Sequence, residues 1–211
     1  MPYAQVTTNL RSPSFSTINL PAAPAGSLVL LFLCGHDTTA WTFPAGWTVL
    51  ASNVIATPGL SNNYTAGALL ARIMDGTEPA TITVTGVNTV APNVEAFTIE
   101  AGTFNGLPEV VSIGNLNPPS LTPSWGEDET LWVASLYGRI NSITDPIGYG
   151  NRVASASGSD SAITVLRRER RVTTEDPGAF TQAAGDHRVV YTVAIRPANG
   201  SGPGARSFIL F

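Results

Sequence analysis

Residues 28–33 (LVLLFL) are apolar at consecutive positions, with no polar residue to mark an outward face. A strand of this kind belongs in the middle of a sheet, with material packed over both sides. It is followed by a polar excursion and then by Phe43-Pro44-Ala45-Gly46-Trp47, a corner that leads into a second strand over residues 47–52. Further along, residues 130–136 (TLWVASL) precede Asp145-Pro146-Ile147-Gly148-Tyr149 in the same way. Elsewhere the pattern is alternating. Residues 80–85 (ATITVT) put Ile82 and Val84 inward and the threonines outward. Residues 94–104 set Phe97 and Ile99 against Ala96 and Thr98, with Glu95 and Glu100 on opposite faces.

The remaining strands are expected at residues 15–20, as an early edge strand, and at 64–73, 163–171 and 187–197. Residues 66–74 (AGALLARIM) are the best helical candidate, but they are short, lack a capping pattern and read as strand. Glycine and proline, 20 and 16 residues, interrupt the chain too often for long helices. Strand, corner, loop, strand, turn and closing strand therefore occur twice in the same order. The turns at Glu78-Pro79 and Asp176-Pro177 match in the two copies. The pattern predicts an all-β fold: a single antiparallel β-sandwich, jelly-roll-like, of two Greek-key-like halves over residues 1–197. Residues 198–211 form a Gly-rich linker and an apolar C-terminal arm, Phe208-Ile209-Leu210-Phe211. The arm either returns to its own sheet or docks on a neighbouring chain by strand addition.

Composition changes the picture in one respect. Charged residues are 12% of the chain, against about 25% in an ordinary domain, so the polar surface is built from Thr, Ser and Asn. That suits a surface covered by neighbouring subunits, and equally a neutral secreted domain. All eleven basic residues are arginine and the net charge is −4, which leaves no broad basic face for nucleic acid. The longest apolar run is far short of the roughly 20 residues of a membrane helix. The N-terminal sequence lacks the basic-then-apolar pattern of a secretory signal. The expectation is a soluble chain made in the cytoplasm, without membrane insertion.

Candidate chemistry is sparse. Cys34, the single cysteine, lies inside the apolar run and reads as a small buried hydrophobe. The two histidines each have an aspartate neighbour, His36-Asp37 and Asp186-His187, and with Glu95 or Glu100 these would be an admissible metal set if they converged. Their spacing gives no ligand signature, and solvated loops are the plainer reading. No nucleophile elbow, paired-carboxylate signature or phosphate loop is present. The expectation is a non-enzyme with no cofactor and no metal. The charge run Arg167-Arg168-Glu169-Arg170-Arg171 marks an edge or projecting strand. Arg168 and Arg170 share a face there, and are candidates for an acidic patch on another subunit; a merely solvated hairpin is the alternative. Trp47 and Trp132 read as core. Trp41 and Trp125, in polar surroundings, are the candidate carbohydrate contacts.

The corner Phe43-Pro44-Ala45-Gly46-Trp47-Thr48, the segment from Glu78-Pro79 to Val84 and the closing Ala194-Ile195-Arg196-Pro197 carry a resemblance. Together they resemble β-sandwich virion proteins of tailed bacteriophages, prophages and gene-transfer-agent-like particles, over roughly residues 10 to 197. Gly26-Ser27 stands where that pattern usually has Gly-Asp. The resemblance implies a capsid decoration or spike-base protein, or a tail accessory component, and it carries over no active-site residue. Its implied partners are other virion proteins, with homo-oligomerisation. Its implied location is the virion, assembled in the host cytoplasm and then released. The alternative is a carbohydrate-binding module that meets host surface polysaccharide.

Overall fold

The computed structural model describes residues 3–12, 14–36, 41–56, 64–85, 90–138, 143–157, 161–182 and 188–198. They form fourteen strands. The first half of the chain supplies β1 (Val6–Ser12), β2 (Ile18–Asn19), β3 (Leu28–His36), β4 (Thr48–Ala56), β5 (Tyr64–Ile73), β6 (Thr81–Ile82) and β7 (Val90–Ile99). The second half supplies β8 (Glu109–Ile113), β9 (Asp128–Gly138), β10 (Ile143–Thr144), β11 (Gly150–Ser157), β12 (Ser161–Val172), β13 (Thr181–Gln182) and β14 (Arg188–Ile195). Two five-stranded sheets result, ordered β1-β7-β3-β5-β4 and β11-β12-β9-β14-β8, with every pairing antiparallel. They pack face to face as a β-sandwich.

The chain completes the first sheet before it enters the second, so strands are not exchanged between sheets as they are in a jelly roll. Written from the same starting strand, the two orders are one order: β1-β7-β3-β5-β4 matches β8-β14-β9-β12-β11. In the stack, β7 lies over β11 and β12, β5 over β9 and β14, and β4 over β8 and β14. The second sheet thus faces the first with its order reversed. The halves are related by a pseudo-two-fold axis that runs along the strands between β3 and β9. The internal repeat seen in the sequence is therefore a repeat of whole sheets.

The central strands are apolar on both faces because both faces are covered. Leu28, Leu30, Phe32 and Cys34 of β3 enter the core between the sheets, with Leu131, Val133 and Tyr137 of β9. Val29, Leu31 and Leu33 enter an outer cluster with Phe15, Ile18, Trp47, Met74, Ile82 and Val84. On the opposite side Trp132, Ala134 and Leu136 pack under Leu121 and Phe180. Burying two faces of one strand in this way gains roughly 25 cal/mol per Å² of apolar surface removed from water.

Several expected strands belong to these covers and not to the sheets. Residues 15–20 contain only β2, paired to β6, and the true edge strand is β1. Residues 80–85 form no sheet strand beyond the two-residue β6: they hydrogen-bond to the cover at Phe15, Ile18–Leu20 and Thr42, with Ile82 and Val84 buried as the alternation predicts. Strand β7 stops at Ile99, where Thr103 N–H turns back to the Glu100 carbonyl at 3.2 Å. Of residues 66–74, all but Met74 are strand, within β5. The Arg-rich strand β12 lies inside its sheet, but β11 pairs with it no further than Arg167. From Arg168 to Val172 it is hydrogen-bonded on one side alone, so the polar end of the strand does project.

Edge strands β1, β4 and β11 each carry a register shift, and β8 is only five residues long. Bulges and short strands both discourage further pairing at an edge.

Gly67 of β5 holds the sheets at their spacing. A Cβ there would lie 2.4 Å from Tyr137 Cδ2 and 3.0 Å from the Tyr191 hydroxyl. The expected outcome of Gly67→Ala is a loss of about 1–3 kcal/mol from overpacking, read as a lower urea midpoint at unchanged slope. An unchanged midpoint would show that the tyrosines move aside freely.

Candidate functional site

The pseudo-two-fold axis runs along the strands, so equivalent strand ends of the two halves share an end of the sandwich. At one end the two termini of the described chain meet on a single residue. Thr103 accepts the Gln5 backbone N–H through its Oγ1 at 3.0 Å, and its carbonyl accepts the Ala198 N–H at 3.1 Å. Tyr3 is held at this end too. The Glu129 carboxylate that takes its hydroxyl pushes the phenol up to about 12. The strand ends flanking residues 37–40, 57–63, 86–89, 139–142, 158–160 and 183–187 all lie at the opposite end.

Each half has the same device at its corner, at the end where Gln5 and Ala198 meet on Thr103. Gly46 and Gly148 both turn with positive φ, 82° and 81°. An arginine lies beneath each, with Arg72 Nη1 and Arg168 Nη1 at 2.6 and 3.1 Å from where a Cβ would be. Each arginine is held by a glutamate from the following turn. Glu78 accepts Arg72 Nε at 2.9 Å and the N–H groups of Asp75 and Gly76 at 2.8 and 3.0 Å. The Asp75 N–H is the main cause holding the Glu78 carboxyl below its ordinary range. Asp75 is itself held low, chiefly by the Thr77 hydroxyl.

In the second half the carboxylate of Glu175 is completely buried. It accepts the Arg168 guanidinium and, at 3.0 Å, the Tyr149 hydroxyl. The guanidinium carbon of Arg168 also stacks 4.5 Å from the Tyr149 ring centre. Burial pushes the Tyr149 phenol well up and the Arg168 guanidinium down.

These contacts correct two expectations. Arg168 is engaged by Glu175 of its own chain and is not available to an acidic patch elsewhere. Arg170, with 54% of its side chain exposed, approaches Glu175 Oε2 at 3.7 Å and remains on the surface. Trp41 is core, only 8% exposed and edge-on to Phe15 and Phe43, so it presents no face to a sugar. Trp125 is half-buried, donates Nε1–H to Thr130 Oγ1 at 3.2 Å and has the Arg196 guanidinium 6.0 Å from its ring. Trp47 and Trp132 are core as read from the sequence.

Cys34 is buried against the backbone of Gly138 and Ala162, and burial pushes its thiol up to about 12, which leaves it inert as a nucleophile. Among the described residues no three His, Cys, Asp or Glu side chains gather as a cation site. Asp37, Asp186, His187 and the arm residues Phe208, Ile209, Leu210 and Phe211 lie outside the described residues, as does the His36 side chain. Among the described residues, no helix is long and apolar enough to cross a membrane.

Sequence reading missed one surface, an open groove of about 540 Å³ beside the first corner. It is walled by Leu20, Pro21, Ala22 and Pro24 on one side and by Met74 and Pro79 on the other. The signal available in the sequence was the unequal length of the two turns, residues 74–79 against 173–174. No protein-family model, curated protein or solved structure matches the chain.

Proposed function

We propose that this chain is a structural virion component of a phage-like particle. It is a capsid decoration, a spike base or a tail accessory part, attached through the end where its termini leave and presenting the opposite end outward. The observation that carries the reading is the meeting of both described termini on Thr103. Segments that extend from there can grip one surface without crossing the sandwich. The low charge, the Thr/Ser/Asn-rich polar surface and the resemblance of the corners and the closing strand to virion sandwiches support it. The reading as a carbohydrate-binding module now rests on Trp125 alone, since Trp41 is enclosed.

Removing residues 199–211 tests the attachment. The shortened chain is expected to remain folded, with the same strand signature by circular dichroism, and to be missing from purified particles. A full complement of the shortened chain on particles would overturn docking through the C-terminal segment.

A further inference from the structure

The groove breaks the pseudo-symmetry, and that singles it out. In the second half the cover strand meets the turn at once: Leu121 pairs with Glu175, three residues past the end of β12, and the Thr122 and Thr174 hydroxyls close the gap at 2.7 Å. In the first half the partner of Leu20 is Ala80, seven residues past the end of β5. The turn of the first half is longer by four residues. A second difference adds to it. The residue before Gly126 is Trp125, whose side chain packs against the outer cluster, whereas Ala25 stands before Gly26 and only its methyl reaches Gly76. The two halves thus also differ in bulk just before the glycine that opens the central strand.

We propose that in the free protein, before the arm is given over to a particle, the groove is the docking site of the chain's own C-terminal arm, residues 206–211. The point of departure is close. Ala198 is bonded to Thr103, Ala101 lies 3.4 Å from the Cβ position of Gly26, and Gly26 N–H is bonded to the carbonyl of Met74 in the groove wall. The linker of residues 199–205 spans about 23 Å when extended. The chemistry also matches: Phe208, Ile209, Leu210 and Phe211 bring an apolar surface to a wall mostly of proline, alanine, leucine and methionine, whose one carboxylate, Glu78, is held by Arg72. Arg206 would enter near Asp75, a carboxylate 59% exposed between the groove residues Met74 and Gly76 and paired with Arg72 at 3.3 Å. A short flexible tether supplies a millimolar effective concentration, so even a weak contact is populated.

Disulfide trapping in the free, full-length protein tests the site, with the buried Cys34 as a spectator. Ala22→Cys with Leu210→Cys is expected to close an intramolecular bridge about tenfold faster than Ser120→Cys with Leu210→Cys, a pair that reports on the closed half. Adding Ala80→Arg to the first pair is expected to remove that advantage. Equal rates for the two pairs would overturn the proposal, and so would disulfide-linked dimers as the main product, which would mean that the arm enters another copy. The readout needs no particle, so its failure leaves the attachment reading intact.

Discussion

Glu175→Ala is expected to destabilise the fold by about 3–5 kcal/mol, the usual consequence of removing one partner from a buried ion pair. The carboxylate is fully enclosed, and Arg168, 15% exposed, depends on it for its countercharge. Without it the guanidinium keeps its charge and its position under the corner, where the Tyr149 ring and the Ile147 carbonyl, 3.4 Å from Nη1, are neutral partners that cannot replace the countercharge. The Tyr149 hydroxyl loses its acceptor as well. For a domain of this size the loss corresponds to a fall in Tm of about 6–20 °C. Glu175→Gln retains the shape and a hydrogen-bond acceptor but not the charge, so its loss should be intermediate. Calorimetry of the two variants checks both; a loss under about 1 kcal/mol for alanine would mean that the pair is effectively solvated.

Trp41→Ala is expected to cost about 3–5 kcal/mol, as large-to-small changes of enclosed aromatics do. The ring lies 4.8 Å from Phe15 at 73° and 6.4 Å from Phe43 at 83°, the edge-to-face arrangement that adds to simple burial. A tryptophan whose task was to stack on a sugar would present a face to water, and its removal would hardly change stability. Urea unfolding distinguishes the two roles, and an unchanged midpoint would return Trp41 to the sugar-binding reading.

The parts of the fold legible in the sequence were those where burial leaves a periodic trace. Consecutive apolar residues at 28–33 marked a strand covered on both faces, and the repeated Pro-x-Gly-aromatic corner marked the duplication. Strands β1 and β8 left little trace. As edge strands they contain polar or half-buried residues, and backbone pairing defines them more than side-chain burial does. Trp41 was misread because Phe15, its main neighbour, is remote in sequence, and local polarity concealed the cluster. Arg168 was misread although a signal existed. Arg72 precedes Glu78 by nearly the interval at which Arg168 precedes Glu175, and both pairs flank matching corners. The groove was invisible because it arises from a difference in turn length between halves whose cores are alike.

The meeting of both ends of the described chain on Thr103 has a mechanical consequence for the proposed attachment. If the particle grips the chain there, drag on the far end pulls along the strands. Interstrand hydrogen bonds in an antiparallel sheet lie perpendicular to that direction. They are then loaded together in shear, and do not open one after another like a zip. Anchoring at a single end thus suits the sandwich to exposed service, because a tug from outside meets whole ladders of bonds at once.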